Sequence, residues 1–192
     1  MAVRSATSRF LTPVGDRGGV SYGSYQMASR FGVPQDFLKN EGAPWADQFA
    51  GTDASSSNGS FAQTWKDIAA AAPDAFGQAQ QDYIARTHYA PVLAMANLLG
   101  FSTSDVGVQN ALWSQSVQSG LNGNLSIFQG FMTTTGGNPL FMTAQEQIEG
   151  LYAARGDYTT SIHIQPPSAG VPRYNVEMPI AVQLSNNFPV GP

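Results

Sequence analysis

The stretch Gly15 to Ser29, GDRGGVSYGSYQMAS, constrains this chain more than any other. An acid, Asp16, precedes the glycine pair Gly18 and Gly19, and a polar-aromatic run follows: Ser21, Tyr22, Gly23, Ser24, Tyr25, Gln26. Glycine lets the backbone turn tightly and lets a neighbouring chain approach closely, because no Cβ intervenes. Val20, Tyr22 and the interleaved small residues read as a short twisted hairpin rather than a helix. Such a hairpin, with an acid at its mouth, can floor a sugar-binding groove: tyrosine faces stack on sugar rings while hydroxyls and amides bond their polar groups. The same residues also suit a plain surface hairpin with a solvated Asp16.

A chain of 192 residues suits one domain with a real hydrophobic core. Charged residues make up only 11%, against a usual quarter, so Ser, Thr, Asn, Gln and Gly must cover much of the surface. The net charge is −4, and Lys39 and Lys66 are the only lysines. That balance argues against a nucleic-acid partner, whose footprint is a basic patch. It also argues against electrostatic steering onto an anionic cell wall, which a protein held in an assembly would not need. Cysteine is absent, which excludes disulfides and thiolate metal sites. The start, MAVRSATSRFLTP, lacks the apolar core of a signal peptide, and no run is apolar enough to span a bilayer. The sequence therefore predicts neither a membrane nor a nucleic-acid partner.

Residues 1–14 read as an extended arm, residues 15–187 as one domain and residues 188–192 as a tail. The pattern predicts a short helix over Val33 to Asn40 with Pro34 in its first turn, then a loop from Glu41 to Gly59. Ser60 is placed to cap a helix with Phe61, Trp65 and Ile68 inward. Pro73 opens a second, carrying Phe76, Tyr83 and Ile84. His88, Tyr89 and Pro91 mark a break, and PVLAMANLLG, apolar nearly all round, is expected to be the most buried element. Ser104 is expected to cap a helix stopping at Gly120, with Val108, Leu112, Trp113 and Val117 inward. Ile127, Phe128 and Phe131 belong to a further segment. Thr143 and Glu146 form a capping box for a helix with Ile148, Leu151 and Tyr152, closed by Gly156. After Pro166, Pro167 and Pro172, one more helical segment is expected around Tyr174 to Leu184, disturbed by Pro179. The fold class that follows is mainly α, with a small β-hairpin near the N-terminus.

The chain has two histidines, His88 and His163, without metal-ligand spacing. It has no GxSxG elbow and no phosphate loop. Neither a metal nor a cofactor is expected, and His88 is expected to bond a backbone carbonyl at the helix break. Glycoside cleavage needs two carboxyl groups, one protonated and one ionised. Asp16, beside the hairpin, is the best single candidate for one of them.

GDRGGVSYGSYQMAS resembles the signature of a lysozyme-like, chitosanase-related muramidase domain found in phage lysins and at the ends of type VI secretion spike proteins. Members read G-D-P-G-G-V-S-Y-G-x-Y-Q-[LM], and this chain departs at Arg17. ALWSQSVQSG (Ala111 to Gly120) resembles the family's [ST]-x-[AS]-V-Q-x-G helix end. IEGLYAARGDY (Ile148 to Tyr158) resembles its I-Y-x-x-R helix, and RYNVEM (Arg173 to Met178) its closing R-Y-x-x-E element. AQQDYIARTHYAPV fits the middle helices, so the resemblance runs from about Gly15 to about Leu184. It implies a lysozyme-like single domain that cleaves the glycan strand of peptidoglycan. Asp16 is then the second catalytic carboxylate, and Ser21, Tyr22, Tyr25, Gln26 and Gln118 contact the substrate. The implied setting is a virion, or delivery to the bacterial periplasm.

In that family the general acid is a glutamate ending a first helix, ~15 residues before the hairpin. Here no Glu or Asp precedes Asp16. Three explanations stay open: the acid lies upstream in a longer chain, Glu41 or Asp47 has taken its role, or catalysis has been given up. In the last case the chain is a catalytically inactive, lysozyme-derived structural protein of a virion or secretion apparatus, with apparatus proteins as partners. Glu149 and Glu177 read as helix-surface residues.

Overall fold

The computed structural model describes residues 18–162 and 173–188. The expected arm over 1–14, Asp16, His163, Pro166, Pro167 and Pro172 lie outside the described residues, as does most of the tail. The protein is mainly α, with one small antiparallel hairpin near its N-terminus. The chain divides after Arg86 into two compact units.

The first unit begins with strands β1 (Ser21–Tyr22) and β2 (Met27–Ala28), in the register Ser21 to Ala28 and Tyr22 to Met27. A 3-10 turn over Ser29–Phe31 leads into helix α1 (Val33–Lys39), with Pro34 in its first turn. The segment expected to be loop contains a 3-10 helix, Ala43–Phe49. Its aromatic residues explain it: Trp45 packs edge-on to Phe76 and Phe49 lies against Phe61, ring centroids 5.0 and 4.6 Å apart. Helices α2 (Ser60–Ala71) and α3 (Pro73–Ile84) follow. Trp65, fully buried, sits at the middle of the aromatic core, touching Tyr22, Phe37, Phe49, Phe61 and Phe76. Burying one Phe-sized side chain contributes roughly 1.5–3 kcal/mol, so this cluster outweighs any single polar contact in the unit. Ser60 does not cap α2: Gly59 occupies the N-cap, and no side chain bonds there.

The chain does not break at His88. A π-helical turn, Ala85–Tyr89, runs directly into helix α4 (Ala90–Leu98). His88 Nδ1 meets Thr87 Oγ1 at 2.7 Å rather than a backbone carbonyl, and burial holds its pKa down. Helix α4 buries Val92 and Ala96, but Leu98 is 86% exposed, so it is not the most buried element. The reason is that only one side of α4 meets neighbouring helices.

Helix α5 (Val106–Thr135) is the axis of the second unit and packs against α4, α6 (Ala144–Ser161) and α7 (Arg173–Asn187). Asp105, not Ser104, is its N-cap, accepting a bond from the Val108 N–H. Asp105 also accepts from the buried Ser185 hydroxyl of α7 at 2.8 Å. Gly107 has room for no side chain, since a Cβ there would strike the Ala181 carbonyl and Ser185. Gly120 interrupts the helix as expected: at φ 57° and ψ −173° it is not helical, and two helical arms meet there at a kink, the second running on to Thr135. The buried Asn124 amide donates to the Gly120 carbonyl at 2.6 Å, and the Gln115 amide donates to Asn124 Oδ1 at 2.7 Å. Side-chain amides thus replace bonds that the kink removes from the ladder. Ile127, Phe128 and Phe131 of the second arm meet Ile148, Leu151 and Tyr152 of α6 in the core.

The Thr143–Glu146 capping box forms as expected, but α6 runs past Gly156 to Ser161. A helix-interior glycine costs only about 1 kcal/mol, which the buried Thr159 on the following turn helps offset. Pro179 sits inside α7 without ending it. No helix among the described residues is long and apolar enough to cross a membrane.

The kink network makes a direct prediction. Asn124→Ala leaves the Gly120 carbonyl and the Gln115 amide without buried partners, and should lower unfolding free energy by about 1–3 kcal/mol, read from the urea midpoint. A Gln115→Ala/Asn124→Ala pair that costs as much as the two single changes added together would argue against a shared network.

Candidate active site

The hairpin is held from both sides. The Ser29 N–H donates to the Val20 carbonyl at 2.8 Å, the Arg30 N–H to the Gly18 carbonyl at 3.0 Å, and the Val20 N–H to Ser29 Oγ at 2.9 Å. Its four-residue loop turns through Gly23 (φ 72°) and Gln26 (φ 53°), closed by Gln26 N–H to Gly23 carbonyl at 3.3 Å. A Cβ on Gly23 would collide with Gln80 Oε1, which instead accepts a bond from the Ser24 N–H at 3.2 Å. Gln26 is the only described non-glycine residue at positive φ, a conformation that L side chains adopt at a cost.

Four of the expected substrate-contacting residues lie on this hairpin, in different surroundings. Ser21 is 9% exposed, Tyr25 is half-buried and Gln26 is exposed. Tyr22 corrects the expectation that its face is open to a sugar. It is fully buried, its ring lies 4.9 Å from Phe61 and 5.3 Å from Trp65, and its hydroxyl donates to the Ala54 and Ser56 carbonyls at 2.8 and 3.3 Å. Burial, with the Asp53 charge, pushes its phenol up to about 12, so it remains a donor. Packing against Phe61 and Trp65 turns this ring inward, where its hydroxyl pins the hairpin to the 54–56 loop.

The two acids offered as relocated catalysts behave differently from one another. Glu41 accepts from Arg86 Nε at 2.5 Å and Nη2 at 3.0 Å, and that bidentate hydrogen bonding holds its carboxyl below the usual range. An ionised, paired carboxylate is a poor proton donor. Asp47 is exposed, on the 3-10 helix Ala43–Phe49. Asp53, which the sequence reading did not single out, accepts from the Ser55 N–H at 2.9 Å and from its hydroxyl, bonds that keep it ionised.

The expected Gln118 belongs to the second unit, where it joins a network that sequence reasoning missed. Arg155 of α6 is 1% exposed. Its Nε donates to Gln118 Oε1 at 2.9 Å, Nη2 to the same oxygen and to the Ser114 carbonyl at 3.3 Å, and Nη1 to Ser114 Oγ at 3.1 Å. Glu177 of α7 pairs with Nη1 at 3.5 Å and accepts from Ser114 Oγ at 2.6 Å. Tyr174 closes the network, its ring centroid 4.5 Å from the guanidinium and its hydroxyl 3.0 Å from the Gln118 amide nitrogen. Glu177 is therefore not a simple surface residue. The signal was present as spacing: Ser114 and Gln118 are four apart, while Tyr152 and Arg155, and Tyr174 and Glu177, are three apart, which puts each pair on one helix face. The network fixes an exposed glutamine on a rigid base. Among the described residues no group of three or more His, Cys, Asp or Glu could hold a metal ion.

Two outcomes follow. Glu177→Ala leaves the buried guanidinium with neutral acceptors only and should destabilise toward the lower side of about 3–5 kcal/mol, measured by urea unfolding. Glu41 has its carboxyl pKa lowered on folding, so its contribution is present above the ordinary 4.5 and fades as pH falls below it. The parent should therefore lose more stability than Glu41→Gln between pH 6 and pH 3; equal losses would show the pair to be unimportant.

Residues 5–169 match the family described as type VI secretion system spike protein VgrG3-like, C-terminal. The type VI secretion system spike protein VgrG3 of Vibrio cholerae serotype O1 (strain ATCC 39315 / El Tor Inaba N16961) is 36% identical over 115 residues. That alignment covers 58% of this chain and 11% of the relative, so this chain corresponds to a small part of that protein's length. With most of its residues inside the match, the chain belongs to the VgrG3-like C-terminal family of type VI secretion spike proteins.

Proposed function

We propose that this chain is a muramidase-type glycoside hydrolase carried by a type VI secretion spike, which delivers it to the periplasm to cut the glycan strands of peptidoglycan. Asp16 is the ionised carboxylate that positions or activates water. Ser21, Tyr25, Gln26 and Gln118 contact the sugars, and Tyr22 holds the hairpin in place. The observation that carries the reading is the convergence of three lysozyme-like sequence elements on one buried cation. Ser114 and Gln118 come from the first element, Arg155 from the second, Tyr174 and Glu177 from the third. A resemblance spread over distant motifs is stronger when their residues bond one another. Family membership supports the secretion setting.

A second reading, an inactive wall-contacting or structural component of the apparatus, is favoured by one observation: Glu41 and Asp53 are both held ionised, so neither supplies the protonated partner that two-carboxylate cleavage needs.

The deciding experiment measures new reducing ends released from purified peptidoglycan by this chain, by Asp16→Asn, and by a version extended with an acid-bearing N-terminal helix. The hydrolase reading expects release that falls by about 10²–10⁴ in Asp16→Asn and rises by a similar factor if the added helix supplies the acid. No release from the parent or the extended version would overturn it and leave the structural reading.

A further inference from the structure

The first unit holds a pocket of about 250 Å³ that the hydrolase reading does not use, lined by Gly19, Ser29, Arg30, Gln35, Asp53 and Ser55. It carries one cation and one anion that do not pair with each other. Among the described residues the Arg30 guanidinium makes no ion pair or side-chain hydrogen bond, and the only bonds to the Asp53 carboxylate come from Ser55. Opposite charges left apart on one wall suit a ligand that brings the complementary charges on neighbouring atoms. Guanidinium grips carboxylate in a two-pronged way, and carboxylate accepts from ammonium.

The wall is closely packed. Gly19 sits at φ 74°, and a Cβ there would lie 2.9 Å from Ser29 Oγ and 3.3 Å from Arg30 Cβ, so only glycine lets these two residues seat directly against its backbone. Ser29 Oγ is fixed by the Val20 N–H, and Asp53 is fixed by Ser55. The volume lies below the roughly 300–1,000 Å³ of pockets for drug-sized ligands. It suits a head group better than a sugar with its substituents.

We propose that this pocket binds a zwitterionic α-amino acid head, with the carboxylate on Arg30, the ammonium on Asp53 and the Gln35 amide beside them. Peptidoglycan carries such a head at the free end of the diamino acid in its peptide stems. The inference rests on the hydrolase reading for that choice of source: the chain would recognise glycan strands that bear uncrosslinked stems.

The test separates binding from cleavage. The probe is the free stem tripeptide L-Ala–γ-D-Glu–diaminopimelate, titrated into the parent chain by calorimetry and followed at the Gly19, Ser29 and Ser55 amides by NMR. Expected are saturable binding, shifts at those amides, and at least a tenfold loss of affinity in both Arg30→Gln and Asp53→Asn. Glutarate and cadaverine, each carrying one sign of charge, should bind at least tenfold more weakly. No binding by the folded parent, equal binding of a single-charge probe, or binding unchanged in both variants would overturn the proposal. A second arm compares intact peptidoglycan with strands stripped of stems by an amidase. Arg30→Gln should raise KM about tenfold on the former and leave the latter unchanged; equal effects on both would also overturn it. Reducing ends without stem binding would sink the pocket and keep the hydrolase. Stem binding without reducing ends, even after the helix extension, would keep the pocket and sink the hydrolase.

Discussion

The buried guanidinium of Arg155 is the interaction on which the second unit depends. A cation taken out of water is tolerated only when its donors are met, and two neighbouring helices share that task. Helix α5 supplies Ser114 and Gln118, and α7 supplies Glu177 and the face of Tyr174. Because the acceptors sit on different helices, any slide of one against another strands a buried charge. The network therefore adds register to packing that apolar contacts alone, being non-directional, leave free. The close seat of Gly107 on Ala181 and the Asp105–Ser185 bond fix the other end of the same helix pair.

Tyr22 plays a comparable part in the first unit. Two strands of two residues each cannot hold a hairpin by themselves. The ring wedged against Phe61 and Trp65, and the hydroxyl on the 54–56 loop, supply what the ladder lacks. Gln80 braces the turn from below through Ser24. A glycine-rich segment that would otherwise have many conformations is thereby held in one, with Tyr25 and Gln26 left at its outer edge. Preorganisation of this kind spares any ligand of the hairpin the cost of ordering it, since a loop that must first be ordered loses binding free energy.

Both anchors were residues the motifs contained, but their roles were not visible in the string. Tyr22 was read as a ligand-facing ring because tyrosine beside serine and glutamine suits a sugar. Whether an aromatic face is open depends on what lies across from it, and Phe61 and Trp65 are about forty residues away. Glu177 was read as a helix-surface residue because nothing near it in the string supplies a partner. Its partners come from α5 and α6, at separations that local patterning cannot reach.

The sequence by itself determined the helical periods, and with them the mainly α class, the inward Phe61–Trp65–Ile68 stripe, the Thr143–Glu146 cap and the hairpin's position. These depend on residues within a turn or two of each other, where sterics and backbone hydrogen bonding act locally. The stop at Gly120 was legible as well, but only the tertiary structure decided that the two helical arms meet end to end there in a kink, because Asn124 and Gln115 can replace the missing bonds only when buried together. It also decided that α4 is half exposed, that Asp105 rather than Ser104 caps α5, and that Arg155 gathers three distant elements. Each of these depends on which partner arrives from elsewhere in the chain, and desolvation makes that partner count.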